Sequence, residues 1–262
     1  MSDYQAEIAT WRAARLKTLF GDEGWLNLIG REWLAPGSAT IGSAEDNDLI
    51  MERGPAHIGT VTLVEDGTVT LVSADSLTTL EFAPSSLSQR QVLGSVLVEI
   101  HQFNGRPSIR LRDLDSNPGA TFPGIETFPV DPAWRVTGQW VSLDTPQAIE
   151  IDTFAGIPTT VTATHRVDFT LAGQSLSLLA THGSREKPMF VLRDKTSGVE
   201  TYAAARFLYG ENSTDKHVVL DFNKAFNPPC SFTPYALCPF PPGQNVLPVR
   251  IEAGELLPPG HP

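Results

Sequence analysis

The chain has 262 residues, 41% hydrophobic and 19% charged. That is enough apolar material for a core and too little charge for a disordered chain. The formal net charge of −11 argues against nucleic acid or an anionic membrane as partner, because phosphate neutralisation needs clustered Lys and Arg.

Residues 2–20 read as a helix. Ser2 caps it, with Gln5 in capping-box register. Tyr4, Ile8, Trp11, Leu16 and Leu19 share one side, and Gly21 supplies the stop. This helix is expected to pack on the β-structure that follows. The opening residues lack the continuous apolar core of a signal peptide, and no apolar run approaches the length of a membrane span. A cytoplasmic location is therefore expected, with Cys230 and Cys238 reduced.

After Gly21 the chain breaks into short β-branched and aromatic runs separated by Gly, Pro, Asn and Asp. Strands are expected at 25–29, 39–42, 57–64 and 68–73, with a turn at 65–67. Runs 92–103 and 107–112 form a hairpin around Asn104-Gly105, a preferred two-residue turn. The Pro- and Gly-bearing stretch 116–132 is a connection. Strands resume at 134–143, 147–154, 159–164, 166–171, 175–181, 189–193, 206–209, 218–222 and 246–252. Ala172-Gly173-Gln174 is a turn. Spacing of roughly 8–12 residues points to sandwiches or barrels, not to βαβ units. The expected class is mainly β: an N-terminal helix (1–20), a small β-sandwich (21–117), and a larger antiparallel β-barrel or sandwich (118–262) closed by a Pro-rich loop (227–245).

That loop is the most distinctive segment. Between Pro228 and Pro242 it carries six prolines, two cysteines, three aromatics and no charge. Proline pins the backbone and lowers the entropy lost on ordering, so an ordered, surface-building loop is expected. The Cys230/Cys238 pair offers two ligands where a structural zinc usually takes four, and no CxxC is present. No metal and no cofactor are expected; the cysteines read as small buried apolar residues.

Polar residues cluster at the ends of the C-terminal strands. Arg193, Tyr202, Arg206, Asn223, Tyr235 and Asn245 are candidates to bind a small polar or anionic molecule beneath the loop. The competing reading is a structural network, with Arg206 paired to Asp194 or Asp221. His182 with Asp194 or Asp221 is the candidate catalytic pair, which implies a hydrolase or isomerase. A third reading is a structural or protein-interaction module. Whether the chain is an enzyme, and its oligomeric state, are left open by the sequence.

Two resemblances add to this. The run SATIGSAEDNDLIMERGPAHIG resembles the forkhead-associated phosphothreonine-binding sandwich, with Gly42, Asn47, Asp48 and His57 at matching places. Ser43 stands where that family has its phosphate-gripping Arg, and Gly54 where it has Ser. The resemblance thus implies a small sandwich without phosphopeptide binding. Over most of its length, from Trp11 to Glu255, the chain resembles domain of unknown function family 1684. The resemblance is carried by EGWLNLIGREWLAPGSATIG, RLRDLDS, FPVDPAWRV, RDKTSGVETYAAARFLY and LDFNKAFNPPCSFTPYALCPFPPGQNVLPVRIEAGE. Departures are mild: Tyr202-Ala203-Ala204-Ala205-Arg206 where glycines are commoner, Phe226 for Tyr, and Phe240 for Leu. This resemblance implies no activity, substrate or catalytic residue.

Overall fold

The computed structural model describes residues 3–85, 87–258 and 260; the expected cap at Ser2 and the end of the tail lie outside the described residues. Helix α1 spans Asp3–Phe20, with Asp3 in its first turn and Lys17 in its last, the charge order that suits the helix dipole. Gly21 ends it by donating its amide to the Lys17 carbonyl at 3.1 Å. The chain divides into two compact units, Lys17–Phe122 and Met1–Leu16 with Pro123–Pro262.

The unit of residues 17–122 contains β1 (Leu28–Trp33), β2 (Gly37–Gly42), β3 (Leu49–Ile50), β4 (Gly59–Leu63), β5 (Val69–Ser73), β6 (Thr79–Phe82), β7 (Gln89–Leu93), β8 (Val96–Phe103) and β9 (Arg106–Asp113). They form a four-stranded sheet, β1-β9-β8-β7, and a five-stranded sheet, β3-β2-β4-β5-β6. Apolar residues alternate along these strands and meet in one core, in which Val61, Leu63 and Leu71 join Val98, Ile100 and Ile109. Each such side chain contributes about 1.5–3 kcal/mol when fully buried. The expected single strand 92–103 is two strands, because Gly94 (φ +57) turns the chain between β7 and β8. Asn104 and Gly105, both at positive φ, join β8 to β9 in the expected hairpin.

The polar face of the four-stranded sheet holds a buried ionic network. Glu99 meets Arg110 at 2.7 Å and Arg112 at 2.6 Å, and its side chain is fully buried. Burial opposes its ionisation, but Arg110, Arg112 and Arg90 outweigh burial and hold the carboxyl down at about 2.

The other unit contains β10 (Arg135–Ile151), β11 (Thr159–Leu171), β12 (Gln174–Leu179), β13 (His182–Gly183), β14 (Pro188–Leu192), β15 (Arg206–Glu211) and β16 (His217–Asp221). They make one seven-stranded sheet in the order β12-β11-β10-β16-β15-β14-β13. Four expected strands fuse into the long β10–β11 hairpin, whose register slips between Ser142 and Gln147, beside Pro146, which has no amide to donate. The sheet bends until β12 and β14 are bridged by one side chain, that of Asn245. No strand ladder among the described residues closes it, so this is an open sheet and not the alternative barrel.

The expected strand 246–252 is an extended segment with a single parallel bridge, Val246 to Arg193. Its alternation is nonetheless real: Leu247, Val249, Ile251 and Ala253 enter the core while Val246, Pro248, Arg250 and Glu252 face out. The segment lies along the continuation of β14 and helps fill the space between the two ends of the sheet, its Val249 carbonyl accepting from Lys195 N at 2.9 Å.

Candidate functional site

The proline–cysteine loop has almost no regular ladder, so its backbone groups need side-chain partners. Asp221, at the end of β16, caps the short turn Phe222–Lys224 by accepting from Asn223 N at 3.2 Å. Tyr4 of α1 donates to the same carboxylate at 2.8 Å, and Asn223 donates to the Asp131 carbonyl at 2.9 Å. Burial, and then the Asp221 carboxylate, push the Tyr4 phenol up, so it stays a donor. Gly254 passes beneath this turn at φ +83, where a Cβ would meet the Ala225 carbonyl oxygen at 2.4 Å.

Glu7, Glu211 and Asp221 place carboxylate oxygens within 4.8 Å of one another. Lys224 supplies their positive charge: its Nζ is 2.6 Å from both Glu7 and Glu211, and 3.8 Å from Asp221. Burial opposes the charge on Lys224, but Glu211 and Glu7 outweigh it and raise its pKa. The trio is thereby an ion network, with the ammonium where a cation would be attracted.

Further along the loop, Glu255 accepts from Asn227 N at 2.7 Å and from Arg15 Nε at 3.1 Å. Arg15 also donates to the Asn227 carbonyl at 2.8 Å and lies over the Phe226 ring at 4.7 Å. Burial raises the Glu255 carboxyl against these contacts. Cys230 and Cys238 are buried free thiols. Cys230 N donates to Cys238 Sγ at 3.1 Å, and Tyr202 Oη donates to the Cys230 carbonyl at 3.3 Å. The hydrogen bond from Cys238 lowers the Cys230 thiol, while burial pushes Cys238 well up.

The sequence-predicted ligand-binding residues therefore separate. Arg206 is fully buried, ion-paired to Asp194 and donating to the Ala253 and Ile251 carbonyls. Asn245 carries no exposed surface; it accepts from Leu179 N at 2.8 Å and donates to the Leu179 and Val191 carbonyls at 3.0 and 2.8 Å. Tyr202 and Asn223 are buried clamps of the loop, and Tyr235 is half-buried within it. Arg193 is the one of the six that is exposed, Tyr235 being partly so.

Arg193 lines a groove of about 340 Å³ with Glu150, Asp152, Phe240, Pro242 and Val246. Two backbone contacts set the groove's walls. Arg193 N donates to the Asn245 carbonyl at 3.1 Å, and Phe240 N donates to the Asp152 carbonyl at 2.9 Å, tying the far arm of the β10–β11 hairpin to the loop. Prolines, the Phe240 ring, the Arg193 guanidinium and two exposed carboxylates thus line one groove. The sequence placed Arg193 beside the loop; Glu150 and Asp152 were missed, because the contact that ties the hairpin arm to the loop is tertiary.

The predicted catalytic pair is not formed. His182 Nδ1 bonds the Thr181 hydroxyl at 2.9 Å, while Asp194 is held by Arg206 and Asp221 by Tyr4 and Asn223. A hollow of about 500 Å³ lies beside His57, lined also by Ser73, Asp75 and Ser95. It contains no Arg, in keeping with the departures from the forkhead-associated pattern.

Fold and site together define a mainly β protein of two units, whose second unit is an open antiparallel sheet strapped by a clamped proline–cysteine loop. Residues 120–256 match the family described as protein of unknown function DUF1684, and the chain belongs to that family. The match covers most of the second unit, whereas the sequence resemblance starts at Trp11. Among solved structures, the chain is similar to the solution NMR structure of an uncharacterised protein from Haloarcula marismortui. The two are 27% identical, with 55% of this chain and 82% of that chain covered and a TM-score of 0.44. No curated protein matches the chain. No described helix is long and apolar enough to cross a membrane.

Proposed function

We propose that this protein binds a small polar molecule carrying an anionic group, in the groove between the proline loop and the β10–β11 arm. The observation that carries this reading is Arg193: an exposed guanidinium beside a rigid apolar wall, while Tyr202, Arg206, Asn223 and Asn245 are committed to the fold. A rigid wall adds little ordering entropy to binding, which favours affinity for a small ligand. The carboxylates of Glu150 and Asp152 select against a purely anionic ligand and favour one that also presents a donor or cation. This points to amphoteric molecules of amino-acid character. The same reading places the chain in the cytoplasm, where two such close thiols stay reduced.

The test is a thermal-shift panel of amino acids, small carboxylates and phosphate esters on the wild type and Arg193→Gln. At a ligand concentration about 100-fold above Kd, stabilisation is about 2.7 kcal/mol. The expected result is a compound that raises the wild-type Tm and leaves the variant's unchanged, with both apo proteins melting alike. Equal shifts in the two proteins, or none in either, would refute the reading.

A further inference from the structure

A second polar cleft lies at the opposite end of β14 from Arg193. It occupies about 110 Å³, and its lining includes Trp140, His165, Thr181, His182, Ser184 and Arg185. Leu176 and Leu178 of β12 lie in the core and Ala180 packs against it; the chain leaves β12 after Leu179 and reaches His182 at the start of β13. On β11, Val167 is in the core and His165 is the next residue on that face. Both imidazoles line the cleft, where the inner face of the curved sheet runs out. The floor is Trp140, with His165 stacked on it at 4.9 Å and 12°. Such mouths of curved sheets are common places for ligands.

The chemistry of the lining is one-sided. No carboxylate is among the described residues that line the cleft, in a chain with 30 Asp and Glu, although Glu186 beside it accepts from the Ser184 hydroxyl. Hydroxyls, imidazoles and a guanidinium line it. Trp140 is 5% exposed and its indole Nε1 has no hydrogen-bond partner; a buried donor left unpaired costs about 1–3 kcal/mol. Thr181 Oγ1 holds His182 Nδ1 at 2.9 Å, and Thr164 Oγ1 holds His165 Nδ1 at 2.9 Å. Each ring thereby keeps Nε2 for a ligand. Burial lowers the His182 pKa, so at neutral pH this ring is a neutral hydrogen-bonding group. Arg185 stands at the rim, one of its guanidinium nitrogens paired with Asp215. The volume equals about three or four waters at ~30 Å³ each, the scale of one tetrahedral oxyanion.

We infer that this cleft is an oxyanion site, taking a phosphate-type group between His165, His182, Ser184 and Arg185. It is independent of the Arg193 groove. Two histidines without a third ligand and with a guanidinium beside them disfavour a metal cation.

The test is NMR of the imidazole resonances of the full chain, titrated with inorganic phosphate or glycerol 3-phosphate at constant ionic strength. The exposed His57 and His217 serve as internal controls. The expected result is saturable movement of His165 and His182 only, with half-saturation at least tenfold weaker in Arg185→Ala. That variant removes a side chain already 54% exposed, so folding is preserved. His182→Gln should abolish the movement of His165. Tighter binding of the ester identifies a phosphorylated ligand, and equal or tighter binding of phosphate identifies the free ion; either supports the site. Movement of all four histidines alike, or none, overturns it. So does saturation by zinc with no response to phosphate.

Discussion

Replacing Asp194 with Ala tests whether the buried pair beneath the loop is structural. In the folded protein one Asp194 oxygen faces Arg206, and the other accepts from Thr196 N at 2.6 Å and Thr196 Oγ1 at 2.5 Å. The Asp194 and Arg206 side chains are 0% and 1% exposed. The Ala variant leaves a guanidinium without its counter-ion and the Thr196 amide without an acceptor, while the Thr196 hydroxyl keeps Thr201 Oγ1 at 3.0 Å. Breaking a buried pair from one side costs about 3–5 kcal/mol. For a domain of 150–250 residues each kcal/mol shifts Tm by about 2–4 °C, so the expected fall is roughly 6–20 °C. Arg206→Met/Asp194→Leu removes both charges and should be less destabilised than Asp194→Ala. Thermal unfolding followed by circular dichroism reads all three. If Asp194→Ala melts within about 1 °C of the wild type, the buried-pair argument fails. If the double variant is the worst of the set, the pair contributes net stability beyond charge balance.

Asp221→Ala should reduce stability by an amount typical of a lost cap and buried acceptor, about 1–3 kcal/mol, with a lower Tm, and should speed proteolysis within 222–245. An unchanged cleavage pattern would show that the loop does not depend on this carboxylate. Glu99 has a folded pKa of about 2 against an ordinary 4.5. Its contribution, about 3 kcal/mol, is therefore full above the ordinary value and lost as pH falls towards 2. Glu99→Gln should flatten the acid limb of the stability–pH curve of the 17–122 unit; an identical limb would disprove the assignment. Cys230 and Cys238 are 1% and 4% exposed, so native alkylation should be slower by at least 100-fold than in denaturant. A denatured mass two hydrogens below the thiol form would contradict the cytoplasmic placement.

Much of the fold was legible because it rests on local signals. The Asn104-Gly105 turn, the stop at Gly21 and the alternation in β4 and β5 are each encoded within a few residues. The errors lie where tertiary context decides. Asp144-Thr145-Pro146 reads as a break between strands, yet β10 runs through it as a register slip. At 246–252 the expected strand is an extended segment whose residues alternate between core and solvent. Whether a neighbour pairs with it is invisible in sequence, and here it runs beside Arg193–Lys195 with a single bridge.

The site was less legible, for a reason rooted in backbone accounting. A loop with six prolines between 228 and 242 loses six amide donors and cannot join a ladder, while its carbonyls still need partners when buried. Side chains from elsewhere supply them: Tyr202 to Cys230, Arg15 to Asn227, and Arg206 to Ile251 and Ala253 beside it. Clamps of this kind and ligand-binding residues are drawn from the same residue types, so Arg, Tyr and Asn near such a loop look alike in sequence. Burial divides them. The Arg206 guanidinium, wrapped by carbonyls and a carboxylate, is out of reach of a ligand, whereas Arg193 and Arg185 hold theirs at the surface. Function in this chain is therefore to be sought in the polar groups that the proline loop does not consume.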